Sequence, residues 1–481
     1  MKILMASSEA YPYSKTGGLA DMVAALAKYM ARAGHQVGVV TPLYRNFRKQ
    51  FPDIRPFTYD LDLPLGSHRV KAKIALAKPA PRLTYYFVDQ PKFFNRNGLY
   101  HDSKGDYRDN DARYMFFAKA IVHLARYLPL QPDIVHVHDW QTGFVPLFVR
   151  HQSERDQWVN PPKTCMTIHN LAYQGIFATD TYSLSNLPTD YFHSEAVEYF
   201  DSVNYLKTGI VFADHLTTVS PRYAREITTK SLGCGLDGVL RNRRQDLTGI
   251  LNGVDEEEWN PRKDAHLVKA FSASNLKGKT ANKLALQKKV GLPVRPEVPL
   301  FASINRLVEQ KGCDLLLAAL QNSHQKDLQF IQLGSGARSL ERAFQGLARK
   351  HPTKVAVRLG YDHELSHQIE AASDFFIMPS LYEPCGLNQM YSLRYGSIPI
   401  VRATGGLDDS VVDAREDVTQ ANGIKFSTPV AAALTAAIDK ALALYQAPHA
   451  LLYYRRNAMR ADFSWRKSAE AYATLFDSAL V

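Results

Sequence analysis

The chain has 481 residues, 46% of them apolar and 22% charged, a composition that can bury large cores and excludes a disordered or fibrous protein. Its formal net charge of +11 is spread along the sequence without a long basic run, which argues against a nucleic-acid partner and suits a small phosphate-bearing substrate. The apolar start at residues 1–6 is too short for a signal peptide, no stretch reaches the about 18 apolar residues of a membrane span, and Cys165, Cys234, Cys313 and Cys385 stand singly, so an unexported protein of the reducing cytoplasm with no membrane partner is expected.

Residues 2–6 read as a strand. Gly17-Gly18 breaks it, and Leu19, Val23, Leu26, Ala27 and Met30 follow at helical spacing until Gly34. Residues 37–40 form the next strand, completing a βαβ unit. Apolar runs at 134–137, 165–168 and 216–219 are further strands, separated by stretches long enough for helices, which predicts a mostly parallel sheet. Leu251-Asn252-Gly253-Val254-Asp255 and Trp259-Asn260-Pro261 hold the turn residues expected where one unit ends and another begins. The Lys-, Ala- and Leu-rich span 262–291 predicts a helix, ended by Pro293 and Pro296. The rhythm then restarts with strands at 300–304, 330–333, 355–359, 375–378 and 398–401, and Trp465, Tyr472, Leu475 and Phe476 have the spacing of a last helix. No internal repeat is visible.

The chemistry-bearing residues fall at strand ends, the edge where open α/β sheets bind ligands. Lys15-Thr16-Gly17-Gly18-Leu19-Ala20-Asp21 joins a strand to a helix start, where free amides and the helix dipole favour an anion; a plain tight turn is the competing reading. Arg306 and the Gln310-Lys311-Gly312 run follow the strand at 300–304, and together a guanidinium fork and an ammonium could neutralise a diphosphate without a metal. After the strand at 375–378, Glu383-Pro384-Cys385-Gly386-Leu387 offers a carboxylate for sugar hydroxyls and amides at a helix start, although Glu383 could merely cap that helix. Thr404-Gly405-Gly406-Leu407 makes a parallel glycine turn after the next strand.

His138-Asp139 and Thr167-Ile168-His169-Asn170 are also strand-end residues. His136 and His138 alternate onto one strand face, but no third ligand follows at a telling spacing, so no structural zinc is expected. Gly278-Lys279-Thr280 lacks the first glycine of a phosphate loop, which would stand at Ala273, and Gly334-Ser335-Gly336 lacks the third glycine of a dinucleotide turn. Asp60-Leu61-Asp62 lies outside the strand-end clusters and reads as a solvated face.

This ordered set, with Asp106-Tyr107-Arg108-Asp109-Asn110, Thr218-Val219-Ser220-Pro221 and Gly249 through Asp255, resembles the bacterial glycogen synthase and plant starch synthase family over nearly the whole chain. The resemblance implies a GT-B architecture: two Rossmann-like α/β domains facing across a deep cleft, here 1–247 and 248–460, with a last helix at 461–481 crossing back onto the first. It implies glucosyl transfer from ADP-glucose to the non-reducing end of an α-1,4-glucan, with retention of configuration and no metal or other cofactor. It assigns Asp21, His169, Arg306, Lys311 and Glu383 to catalysis, and Lys15, Gly17, Gly18, His138, Asp139, Asn252, Gln310, Tyr361, Cys385, Gly386, Leu387, Thr404, Gly405 and Gly406 to substrate binding. The chain departs from the family pattern at Tyr382, Asn388 and Asp408, usually Phe, Thr and Ala, and Tyr391 stands where the wider GT-B pattern has a second Glu. A nucleotide-dependent oxidoreductase is disfavoured by the incomplete glycine turns. A silent glucan-binding relative is disfavoured by the intact phosphate-side set.

Overall fold

The computed structural model describes residues 1–45, 47–155 and 158–480. Its contacts divide the chain into one unit made of Met1–Val219, Ala224–Ile250 and Trp465–Val481, and a second made of Ser220–Tyr223 and Leu251–Ser464. Each is an α/β unit built on a large sheet. No helix among the described residues is long and apolar enough to cross a membrane.

The first unit's sheet contains β1 (Lys2–Ala6), β2 (Gln36–Pro42), β3 (Arg55–Leu65), β4 (His68–Ala80), β5 (Leu83–Asp89), β6 (Ile134–His138), β7 (Lys163–Ile168), β8 (His215–Thr218) and β9 (Leu247–Gly249), in the order β9-β8-β7-β6-β1-β2-β5-β4-β3. From β9 to β5 every pairing is parallel, whereas β5–β4 and β4–β3 are antiparallel hairpins. The central strands are buried on both faces, hence their unbroken apolar runs. On β3, Leu61, Leu63 and Leu65 are buried while Asp60, Asp62 and Pro64 between them are exposed, the period-2 signature of a sheet with one wet face.

Helix α1 (Gly18–Arg32) buries Ala20, Val23, Leu26, Ala27 and Met30 and packs against α8 (Trp465–Ala479), the last helix, which lies within the first unit. The α8 rings Tyr472 and Phe476 each sit 5.4 Å from the His136 ring at the sheet's centre. Each such buried ring stabilises the unit by about 1.5–3 kcal/mol. Between them in sequence, α2 (Asn110–Tyr127) buries Tyr114, Phe116 and Phe117.

The second unit has six parallel strands, β10 (Leu300–Ile304), β11 (Gln329–Leu333), β12 (Val355–Arg358), β13 (Phe375–Met378), β14 (Ile398–Arg402) and β15 (Ile424–Phe426), ordered β12-β11-β10-β13-β14-β15. The order reverses direction at β10 and β13, the kind of switch point where α/β sheets bind ligands.

The span 262–291 is not one helix: only α3 (Lys277–Val290) forms, closed by Gly291 in the left-handed conformation. Polar side chains take the backbone N–H groups that a longer helix would need. Asn260 accepts from Arg262, Asp264 from His266, Asn282 from Val268, and Asn275 from Lys277. Within α3, Lys279 is buried, its ammonium donating to the carbonyls of Ala371 and Tyr395 at two helix ends, so the Gly-Lys-Thr triplet is structural.

Candidate active site

In the second unit, four strand-end loops bring the chemistry together. Leu381 N donates to Gln310 O at 2.8 Å and Gln310 Nε2 to Tyr382 O at 3.3 Å, which ties the loop after β10 to the loop after β13. The tie sets Lys311 Nζ 2.5 Å from Glu383 Oε2, with side chains 17% and 7% exposed. Ser380 Oγ donates to the same carboxylate oxygen at 2.9 Å. An ammonium carries three donors, so pairing with Glu383 leaves two for a phosphate. Arg306 is exposed at the start of the loop after β10, and its guanidinium has no partner among the described residues.

The glycines here serve close approach of backbone to backbone. A Cβ at Gly405, φ +45°, would lie 1.9 Å from Glu383 O, and one at Gly406 would lie 2.0 Å from Cys385 O. Gly406 N is already bonded to Glu383 O at 3.1 Å. Thr404, Gly405 and Gly406, at the start of α7 (Gly405–Ser410), therefore press the Glu383 loop into place, and the Gly406 amide is not open to a ligand. Gly334 and Gly336 do the same for Asn305 and Leu307, whose carbonyls would meet a Cβ at 1.8 and 2.3 Å. Gly386 and Leu387 precede α6 (Asn388–Arg394), and their amides donate to no described residue.

Cys385 is buried, and burial pushes its thiol up to about 12 against a hydrogen bond from the Asn252 backbone, so it is no nucleophile at neutral pH. The Asn252 side-chain oxygen is buried with no partner among the described residues. Tyr361, in the loop after β12, is 83% exposed. The departures from the family pattern have structural partners: Asn388 Nδ2 donates to Ile304 O at 2.7 Å, and Asp408 Oδ1 takes the buried Lys425 ammonium at 2.9 Å. Tyr391 stacks on Trp259 at 3.9 Å.

In the first unit, Gly17 has φ −159°, which any residue adopts, and a Cβ there would meet nothing within 4 Å. Neither the fold's conformation nor its packing requires that glycine. Lys15 Nζ lies 2.8 Å from Asp21 Oδ2, so these two form one ion pair at the start of α1; burial raises the Asp21 carboxyl and Lys15 opposes it. Glu9, absent from the sequence-based set, organises the turn: it is buried and accepts from Thr16 N, Thr16 Oγ1 and the Tyr100 hydroxyl at 2.5, 2.5 and 2.6 Å. No motif marked it, because its partners lie in two separated segments.

At the ends of β6 and β7, His138 Nδ1 is 3.1 Å from His169 Nε2, and His136 Nε2 is 2.6 Å from Thr167 Oγ1. Burial holds all three imidazoles far below their usual range, His136 and His169 down to about 3, so they are neutral at pH 7. Asp139 has φ +56° and ψ −173°, close to a region almost reserved for glycine and costing about 1–3 kcal/mol. Its amide bonds to Thr167 O at 3.0 Å and its carboxylate accepts from His169 N at 2.7 Å. Burial pushes this carboxyl up to about 7, outweighing the bonds from the His169 and Asn170 amides. The cluster thus presents neutral imidazoles and a high-pKa carboxyl, suited to binding and orienting hydroxyls.

Residues 2–242 match the family model of the starch synthase catalytic domain, and residues 286–458 that of glycosyl transferases group 1. The chain is 47% identical to a glycogen synthase of Anaeromyxobacter sp. (strain Fw109-5), over 99% of both chains. It is 42% identical to a glycogen synthase of Syntrophotalea carbinolica, over 100% of this chain and 99% of that one. The catalytic domain of starch synthase IV from Arabidopsis thaliana, solved with ADP and acarbose, is similar with a TM-score of 0.89 at 35% identity, covering 99% of each chain. Sucrose-phosphate synthase from Thermosynechococcus elongatus has a TM-score of 0.62 at 18% identity, covering 99% of this chain and 98% of that one, a likeness of fold.

Proposed function

The chain belongs to the family of bacterial glycogen synthases and starch synthases, glucosyltransferases that extend a glucan, and we propose that its Lys311–Glu383 pair is the centre that holds the nucleotide-sugar donor. The donor is ADP-glucose, the acceptor is the non-reducing end of an α-1,4-glucan, and configuration is retained. ADP in the Arabidopsis relative supports that choice of nucleotide. The observation that carries the proposal is the 2.5 Å contact itself: a cation with donors to spare, locked beside a buried carboxylate at the switch point of a parallel sheet.

Breaking the bond between the glucosyl carbon and the diphosphate leaves negative charge on the leaving group. Lys311 and Arg306 meet that charge with preorganised donors, the task a metal performs in other transferases, and Lys15 and the Gly17-Gly18 turn are further phosphate-side candidates. Glu383, oriented by Ser380 and Lys311, accepts hydroxyls of the glucosyl ring. Asp21, His138, Asp139 and His169 are assigned to the sugar and the incoming hydroxyl. With Cys385 a thiol, we favour front-face attack: the C1–O bond to phosphate breaks, the bond from C1 to the acceptor's 4-oxygen forms, and the acceptor proton passes to a diphosphate oxygen.

The four cysteines are free thiols, in keeping with a reducing cytoplasm. Equilibrium titration with ADP and with UDP tests the donor assignment. Tighter binding of ADP than of UDP is expected, and Arg306→Ala weakens both, because the guanidinium meets the diphosphate that the two nucleotides share; equal affinity for both nucleotides, or an Arg306→Ala variant that binds like the parent, overturns it. Transfer at an unchanged rate after exhaustive chelation is expected if side-chain cations carry the charge, and loss of transfer contradicts that.

A further inference from the structure

We propose that the second unit carries a second, separate site, for a divalent transition-metal ion of the zinc class, formed by His266, His363 and His367 with Glu258 at its rim. The three histidines each present a ring nitrogen, and these atoms all lie within 4.8 Å of one another. His363 and His367 are four residues apart on α5 (His363–Ala372) and so share a helix face, while His266 comes from the irregular span before α3. No residue of this cluster belongs to the donor-binding set.

His367 is the anchor. Its side chain is 1% exposed, and its Nδ1 is 2.8 Å from Asp264 Oδ2. That contact fixes the proton on Nδ1 and leaves a lone pair on Nε2, which has no partner among the described residues. A carboxylate behind an imidazole whose other nitrogen points at nothing is the outer shell of a metal ligand. Asp264 is itself held, accepting from Tyr395 OH at 2.5 Å and from His266 N at 2.9 Å. Trp259 stacks on the His367 ring at 3.8 Å and 10°, and on Tyr391 at 3.9 Å and 6°, so the imidazole cannot turn away. A buried polar atom left without a partner is destabilising, and an ion on Nε2 gives it one.

The remaining ligands can adjust. A tetrahedral zinc with Zn–N near 2.0–2.1 Å needs nitrogens about 3.3 Å apart. His363, with a side chain 42% exposed, is the ligand with room to close that distance. Glu258 Oε1 lies 3.7 Å from His363 Nε2, near enough to supply the fourth position. Three imidazoles and a carboxylate favour zinc, cobalt or nickel over magnesium or calcium. Bound there, the ion fastens the span 258–266 to the head of α5.

The test uses the untagged full chain, stripped with chelator and dialysed, titrated with Co²⁺ and followed by its visible absorption, and with Zn²⁺ by calorimetry. One tight site per chain with a tetrahedral cobalt spectrum is expected. In the His266→Gln/His363→Gln double variant affinity falls by more than about 100-fold, and in Asp264→Asn by about 10–100-fold. Far-UV circular dichroism and melting in chelator establish that the variants are folded; the single His266→Gln change, at a partly exposed position, stands in should the double variant not fold. A parent protein that binds neither ion, or a folded variant that binds with the parent's stoichiometry and affinity, overturns the site.

Discussion

Replacing Lys311 by methionine keeps the length of the side chain and removes its charge, and the structure sets the consequences. Glu383 is then a carboxylate only 7% exposed, with Ser380 Oγ at 2.9 Å as its remaining side-chain partner. Breaking a buried ion pair by removing one partner costs about 3–5 kcal/mol, and the partial exposure of Lys311 puts the expected loss at the lower end, about 3 kcal/mol. Turnover falls for a different reason, the lost donor to the leaving diphosphate, worth about 10²–10³ in kcat. The two effects separate in the Lys311→Met/Glu383→Gln double variant. Its neutral amide no longer needs a cation, so stability returns towards the parent while turnover stays low. Urea denaturation followed by circular dichroism gives the stabilities, and glucose incorporation gives kcat. Near-parental kcat in a folded Lys311→Met variant would refute the role of Lys311. A double variant less stable than either single one would refute the ion-pair account.

Two glycines that look alike in sequence should behave oppositely. Gly405→Ala places a Cβ against Glu383 O in a left-handed backbone, costing about 1–3 kcal/mol from conformation alone and displacing Glu383, so both stability and turnover fall. Gly17→Ala meets nothing, so stability changes by less than about 0.5 kcal/mol, while turnover falls if substrate lies against that backbone; unchanged turnover removes Gly17 from the site. The buried imidazoles make stability depend on pH. Their folded-state values are depressed, to about 3 for His136 and His169, so between about pH 3 and 6.5 the unfolded chain binds more protons and stability is lost as pH falls through that window. A His136→Asn variant should show a shallower decline of the urea midpoint between pH 6.5 and 4; an identical slope contradicts the assignment.

The parallel strands were legible because burial on both faces leaves runs such as Phe375–Met378 wholly apolar. The hairpins β3 to β5 are also written in the sequence, as the alternation of Leu61, Leu63 and Leu65 with exposed neighbours, a period of 2 that lies outside the βαβ rhythm. Composition misled at 262–276, where Asn and Asp side chains outcompete the helix for backbone amides. In the site, strand-end position singled out Lys311 and Glu383 separately. Their contact joins residues 72 apart and needed the tie between Gln310 and the loop after β13. The glycines at 405 and 406 show the limit of motif reading, since the same letters that cradle a ligand elsewhere here make room for a carbonyl. His363 and His367 stand four residues apart, but His266 lies almost a hundred residues earlier, so no spacing in the sequence joins the three.

The central claim is glucosyl transfer, and the most direct measurement is incorporation of label from ADP-[¹⁴C]glucose into glycogen by the purified chain, followed by digestion with an exo-acting enzyme specific for α-1,4 ends. Label that enters the polymer and is wholly released by the digestion is the predicted result, with incorporation at background in Glu383→Gln. Label that stays in ADP-glucose, or that appears only as free glucose, contradicts it.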